Sequence, residues 1–76
     1  MSESAKYFAV NLNKSLDEMG MPTSLHERTI FLSKMLHIHK PQARSFLEGL
    51  AVPDDTLLQV IASELEVEPQ WLIKNA

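Results

Sequence analysis

The sequence predicts an all-α fold, a five-helix bundle forming a single domain over residues 1–76. Three observations predict it. Apolar residues recur at helical spacing, as in Phe8, Leu12, Leu16 and Met19, which fall on one stripe of a helix. Gly and Pro stand at Gly20, Pro22, Pro41, Gly49, Pro53 and Pro69 and cut the chain into pieces of helix length. No run alternates in the manner of a strand, and there is no repeat or low-complexity tract.

Each element has its own signals. A first helix over about 4–19 carries the Phe8 stripe, and Gly20 stands where a left-handed stop belongs. Met19 and Met21 are expected to fill the core at that end. A second helix over 25–36 opens with Ser24 and, three residues on, Glu27, the pair of a capping box, and turns Phe31, Leu32, Met35 and Leu36 inward. The third, over 40–48, has Pro41 in its first turn, Ala43, Phe46 and Leu47 as its apolar face, and Gly49 as its stop. Asp54 caps a fourth helix over 55–65, whose buried stripe is Leu57, Leu58, Ile61, Ala62 and Leu65. A short fifth helix over 69–74 begins at Pro69 and carries Trp71 and Leu72.

Composition narrows the function. A chain of 76 residues builds only a small core, which favours pairing of copies; the apolar end at Trp71, Leu72 and Ile73 is the expected dimer interface, with Trp71 and Leu72 also expected to close the bundle and Ile73 to be exposed. Without cysteine there is no disulfide scaffold, thiol catalysis or thiolate metal site. His26, His37 and His39 have no well-placed carboxylate among them and read as turn and surface residues, so neither metal nor cofactor is expected. No nucleophile has a base at a recognisable spacing, and two glycines leave no room for a Gly-rich phosphate loop, so an enzyme is not expected. No apolar run approaches the ~20 residues of a membrane span. The polar start Met1-Ser2-Glu3-Ser4 has no signal-peptide core, which leads to the expectation of a cytoplasmic protein.

Net charge is −3 and the isoelectric point about 5.5, whereas nucleic-acid-binding domains are usually basic. The charge is unevenly spread. Between residues 26 and 45 stand Arg28, Lys34, Lys40 and Arg44 with three histidines and the single acid Glu27. From 54 to 68 there are five acids and no base. Such a dipolar chain can turn its positive segment toward phosphates.

The informative stretch is Leu32 to Gly49. Two helices joined by a tight turn need a small residue where they cross, and Ser33 is small. The turn needs a left-handed residue and then an apolar plug, places held by His37 and Ile38. The second helix of the pair then faces Ala43 and Phe46 inward and Lys40, Gln42, Arg44 and Ser45 outward, a polar face able to meet base edges and phosphates.

On these residues, positions 8–73 resemble the lambda-repressor/Cro-like helix-turn-helix family of bacterial and phage regulators, also called the xenobiotic-response-element family. Phe46-Leu47-Glu48-Gly49 is similar to that family's exit from its recognition helix. Pro53, Leu57 to Leu65, Val67 and Trp71-Leu72 resemble its later pattern. The resemblance implies a sequence-specific transcriptional regulator, a repressor, that binds double-stranded operator DNA as a homodimer in a bacterial or phage setting, on the nucleoid when bound. It implies that the second helix crosses the DNA backbone and the third enters the major groove. Base-reading positions fall on Lys40, Pro41 and Ser45, and the phosphate position on Thr29 with Arg28 beside it. Gln42 and Arg44 are supporting contacts, and Lys34 belongs to the same basic segment.

Three residues depart from the family's pattern. His37 replaces the usual Gly at the left-handed position, His39 replaces the Ser or Thr cap, and Pro41 stands where a Gln is frequent. The acidic stretch 54–68 and Pro41 keep an alternative open, in which the fold serves as a protein-interaction or anti-repressor module.

Overall fold

The computed structural model describes residues 3–75 and contains five helices in the expected order. They are α1 (Glu3–Glu18), α2 (Leu25–Leu36), α3 (Lys40–Glu48), α4 (Asp55–Leu65) and α5 (Pro69–Leu72). The middle three match the expected bounds. The first begins and ends one residue earlier than expected, and the last stops at Leu72 instead of 74. No strand occurs among the described residues.

The helix starts follow from side-chain caps. Ser24 Oγ accepts from the Glu27 amide (3.3 Å), and Asp54 Oδ1 accepts from the Leu57 amide (2.8 Å). The helix ends share one device. Gly20, His37, Gly49 and Glu66 all have positive φ, between 55° and 78°. The residue after each, Met21, Ile38, Leu50 and Val67, donates its amide to the carbonyl five residues back. This is the Schellman arrangement, which satisfies the orphan carbonyls of a last turn. Three of the four following residues, Met21, Ile38 and Val67, also pack against the core and fold the chain back over it.

The core gathers Phe8, Leu12 and Leu16 of α1, Leu32 and Leu36 of α2, Ala43, Phe46 and Leu47 of α3, Leu58, Ile61 and Ala62 of α4, and Leu72 of α5. Phe8 and Phe46 meet edge to face at 5.8 Å between ring centroids, joining α1 to α3. Phe31, Met35, Leu57 and Leu65 lie half-buried at its margin.

Two expectations are corrected here. Met19 is 53% exposed rather than core-filling, because α1 ends at Glu18 and the turn to Gly20 carries Met19 outward; Met21 packs on the core instead. Leu72, expected both to close the bundle and to serve a dimer interface, is fully buried and does the first. Its burial is tied to Asn11, a buried amide on α1 whose Nδ2 donates toward the carbonyls of Trp71 (2.9 Å), Leu72 (3.1 Å) and Lys74 (2.9 Å). One side chain of α1 thus closes the C-terminal end of α5, where the backbone has no helical partners of its own.

Candidate functional site

α2 and α3 are joined by His37, Ile38 and His39. His37 takes the left-handed conformation at φ 55°, ψ 46° despite its side chain, and Ile38 packs on the core, as the sequence led one to expect. Ser33 does more than leave space. Its carbonyl accepts from the amides of His37 and Ile38, and its hydroxyl donates to the Ile38 carbonyl at 2.6 Å. One residue therefore holds the turn from three directions, fixing where α3 starts relative to α2.

α3 carries its inward face in the core and leaves Lys40, Pro41, Gln42 and Arg44 exposed. Pro41 sits in the first turn, where its missing N–H costs no helical hydrogen bond. His39 occupies the cap position but makes no side-chain cap bond. The first amides of α3 are thus not claimed by a cap and add their positive end to the charges nearby.

Between the first turns of α2 and α3 lies a depression of about 300 Å³ lined by His26, Thr29, Lys40, Pro41 and Arg44. It joins two cationic side chains and an imidazole at the positive ends of two helices, an arrangement that suits an oxyanion such as a phosphate. Arg44 is shared with Glu48 through an i,i+4 ion pair of 3.3 Å. An exposed pair of this kind is worth only about 0.5 kcal/mol, so it leaves Arg44 able to change partners.

The residues expected at a DNA surface divide into three groups. Lys34, Lys40, Pro41, Gln42 and Arg44 are exposed. Thr29 and Ser45 are partly committed to their own helices. Thr29 is buried against the depression and donates its hydroxyl to the Leu25 carbonyl (2.7 Å). Ser45 is half-buried and donates to the Pro41 carbonyl (3.0 Å). Each hydroxyl keeps lone pairs that accept but has spent its proton.

Arg28 is the correction. Its residue is 4% exposed and its guanidinium is used inside the molecule. Nε donates to the Pro22 carbonyl (2.6 Å), Nη1 to the Asn13 carbonyl and Oδ1 (3.3 and 3.0 Å), and Nη2 to Asp17 Oδ1 (2.5 Å) and the Met21 carbonyl (3.4 Å). Five contacts match the five N–H donors of an arginine, which leaves none for a phosphate. Asn13 extends the network by donating to the Ala9 carbonyl (2.9 Å) and to the Leu47 carbonyl at the end of α3 (3.2 Å).

His26 was missed as a companion of this surface. It stands three residues before Thr29, hence on the same face of α2, and that spacing was the available signal. Asn11 and Asn13 were missed as well, since an asparagine on a helix gives no pattern that distinguishes an inward amide from a solvated one. Among the described residues no three His, Asp or Glu side chains gather to hold a metal ion. No described helix is long and apolar enough to cross a membrane.

Comparison of the chain with protein-family models, with curated proteins and with solved structures finds no match. The functional reading rests on the residues themselves.

Proposed function

We propose that this chain is a sequence-specific, double-stranded-DNA-binding transcriptional regulator, a repressor, in which α2 and α3 form a helix-turn-helix of the lambda-repressor type. The observation that carries the reading is the outer surface of α3. Lys40, Pro41, Gln42 and Arg44 are all exposed, on a helix whose start is fixed by the Ser33 turn, beside a cationic depression between two helix N-termini. In this reading α3 enters the major groove. Lys40 and Arg44 donate to phosphates or to guanine acceptors, and Gln42 offers both a donor and an acceptor to a base edge. The depression between His26, Lys40 and Arg44 seats a backbone phosphate.

Phosphate contacts then supply most of the affinity, and binding falls steeply with salt. Two copies occupy successive major grooves about 34 Å apart. Selection of bound duplexes from a random pool tests this directly, and a consensus of defined sequence is the expected result. In gel shifts on that consensus, Lys40→Ala and Arg44→Ala bind more weakly while their circular dichroism stays unchanged. A pool that yields no consensus, or two variants that bind as well as the parent chain, overturns the reading.

A second reading, in which the fold binds a protein, draws on the acidic stretch 54–68 with its exposed Asp54, Asp55, Glu64, Glu66 and Glu68. Retention on heparin at low salt that is lost by about 0.2 M separates the two, because only the DNA reading requires it.

A further inference from the structure

At the far end of α3 from the cationic depression lies a larger hollow, about 660 Å³, floored by α1 and the last turn of α3. Val10 stands in it, 55% exposed, with Lys6 one turn before and Lys14 one turn after. The two acids that also line the hollow, Asp17 and Glu48, are engaged by Arg28 and Arg44. Neither lysine has an acidic partner among the described residues. The hollow is therefore apolar at its centre, and its rim carries two lysines with no acidic partner beside two acids that are already paired.

α4 presents the opposite. Val60 is 44% exposed, Glu64 stands exposed one turn further on, and the surrounding stretch 54–68 has five acids and no base. An exposed apolar residue flanked by unpaired acids matches an apolar hollow flanked by unpaired lysines.

We propose that the α1 hollow of one copy receives Val60 and Glu64 on α4 of the next copy, in a head-to-tail contact. Charge complementarity selects this arrangement over a two-fold contact between α1 helices. Antiparallel packing centred on Val10 sets Lys6 of one copy against Lys14 of the other, which repels. The C-terminal end offers little in its place, since Leu72 is in the core and Ile73 is the one large apolar residue exposed there among those described. A head-to-tail contact uses different surfaces on its two sides, so both remain available and association continues into a ring or an open filament.

Sedimentation velocity of the full chain without DNA tests the contact, and its failure leaves the DNA reading untouched. At 50 mM salt the weight-average mass rises with protein concentration, and at 500 mM the association weakens at least tenfold. Two variants at exposed positions, Lys6→Glu/Lys14→Glu and Val60→Asp, each stay monomeric with an unchanged helical spectrum. Mixed in equal amounts they form a one-to-one dimer that grows no further, because one keeps an intact α4 and the other an intact hollow. A parent chain that stays monomeric at every concentration overturns the proposal, as does a mixture that stays monomeric. So does an association that Ile73→Asp abolishes while both variants retain it.

Discussion

Arg28 and Lys40 carry the same charge, stand on consecutive helices and read in sequence as one basic surface, yet the fold sends them to opposite places. Arg28 lies inside, its guanidinium tying the end of α1 and the loop after it to α2. Lys40 lies outside, at the start of α3, with no ion pair to any described residue. The difference teaches that a basic segment is not a basic face. An arginine has five donors in a rigid fork and can satisfy itself on inward-pointing carbonyls and a carboxylate, so its burial is tolerable once every donor is matched. A lysine has a compact, strongly hydrated charge and gains nothing comparable from these carbonyls. The interior region holds the frame, and the exterior region is free to meet a ligand.

Stability measurements can break this comparison. The largest expected effect is at Arg28. Arg28→Ala leaves Asp17, Asn13 and two loop carbonyls without their donor and costs about 2–4 kcal/mol, read as a lower urea midpoint. A loss below about 1 kcal/mol would place Arg28 back among the surface charges. Next comes Asn11→Ala, which strips the carbonyls at the end of α5 of their common donor and costs about 1–3 kcal/mol. Trp71 fluorescence reports it, since an α5 that loses this tie exposes its indole; an unchanged spectrum and midpoint argue against the tie.

His37→Gly works in the other direction. A side chain held at φ 55° costs on the order of 1 kcal/mol, which glycine removes, so the variant melts a few degrees higher. Equal or lower stability means that His37 gains something from its neighbours that repays the strain. The smallest effect on stability is at Lys40, where Lys40→Ala changes the midpoint by less than about 0.5 kcal/mol. The same variant lowers the slope of DNA affinity against salt by about one. A Lys40→Ala chain that unfolds as easily as Arg28→Ala erases the contrast between the two regions.

Much of the frame was legible because it depends on neighbours in sequence. Ser24, Asp54, Gly20 and Gly49 are local signals, and each does the local work expected of it. The left-handed His37 was legible too, from what a three-residue turn between two packed helices demands of its first position. Glu66 was not, although Leu65-Glu66-Val67 repeats the form of Leu36-His37-Ile38: a leucine, a polar residue, then a β-branched plug. The candidate site was legible in part. Lys40, Gln42 and Arg44 follow from helical phase alone once Ala43 and Phe46 are known to face inward. Arg28 could not be placed, because its partners Asn13 and Asp17 belong to another helix.

By itself the sequence determined the five helices, their caps and stops, and the apolar stripes that make them a bundle. These depend on contacts within a few residues, where helical geometry leaves little freedom. Only the tertiary structure decided which polar residues were turned inward. Arg28 and Asn11 are buried, and Asn13 half-buried, because packing brought carbonyls from distant segments within hydrogen-bond reach, and a buried donor must find such partners. The same packing left Val10 and Val60 at the surface.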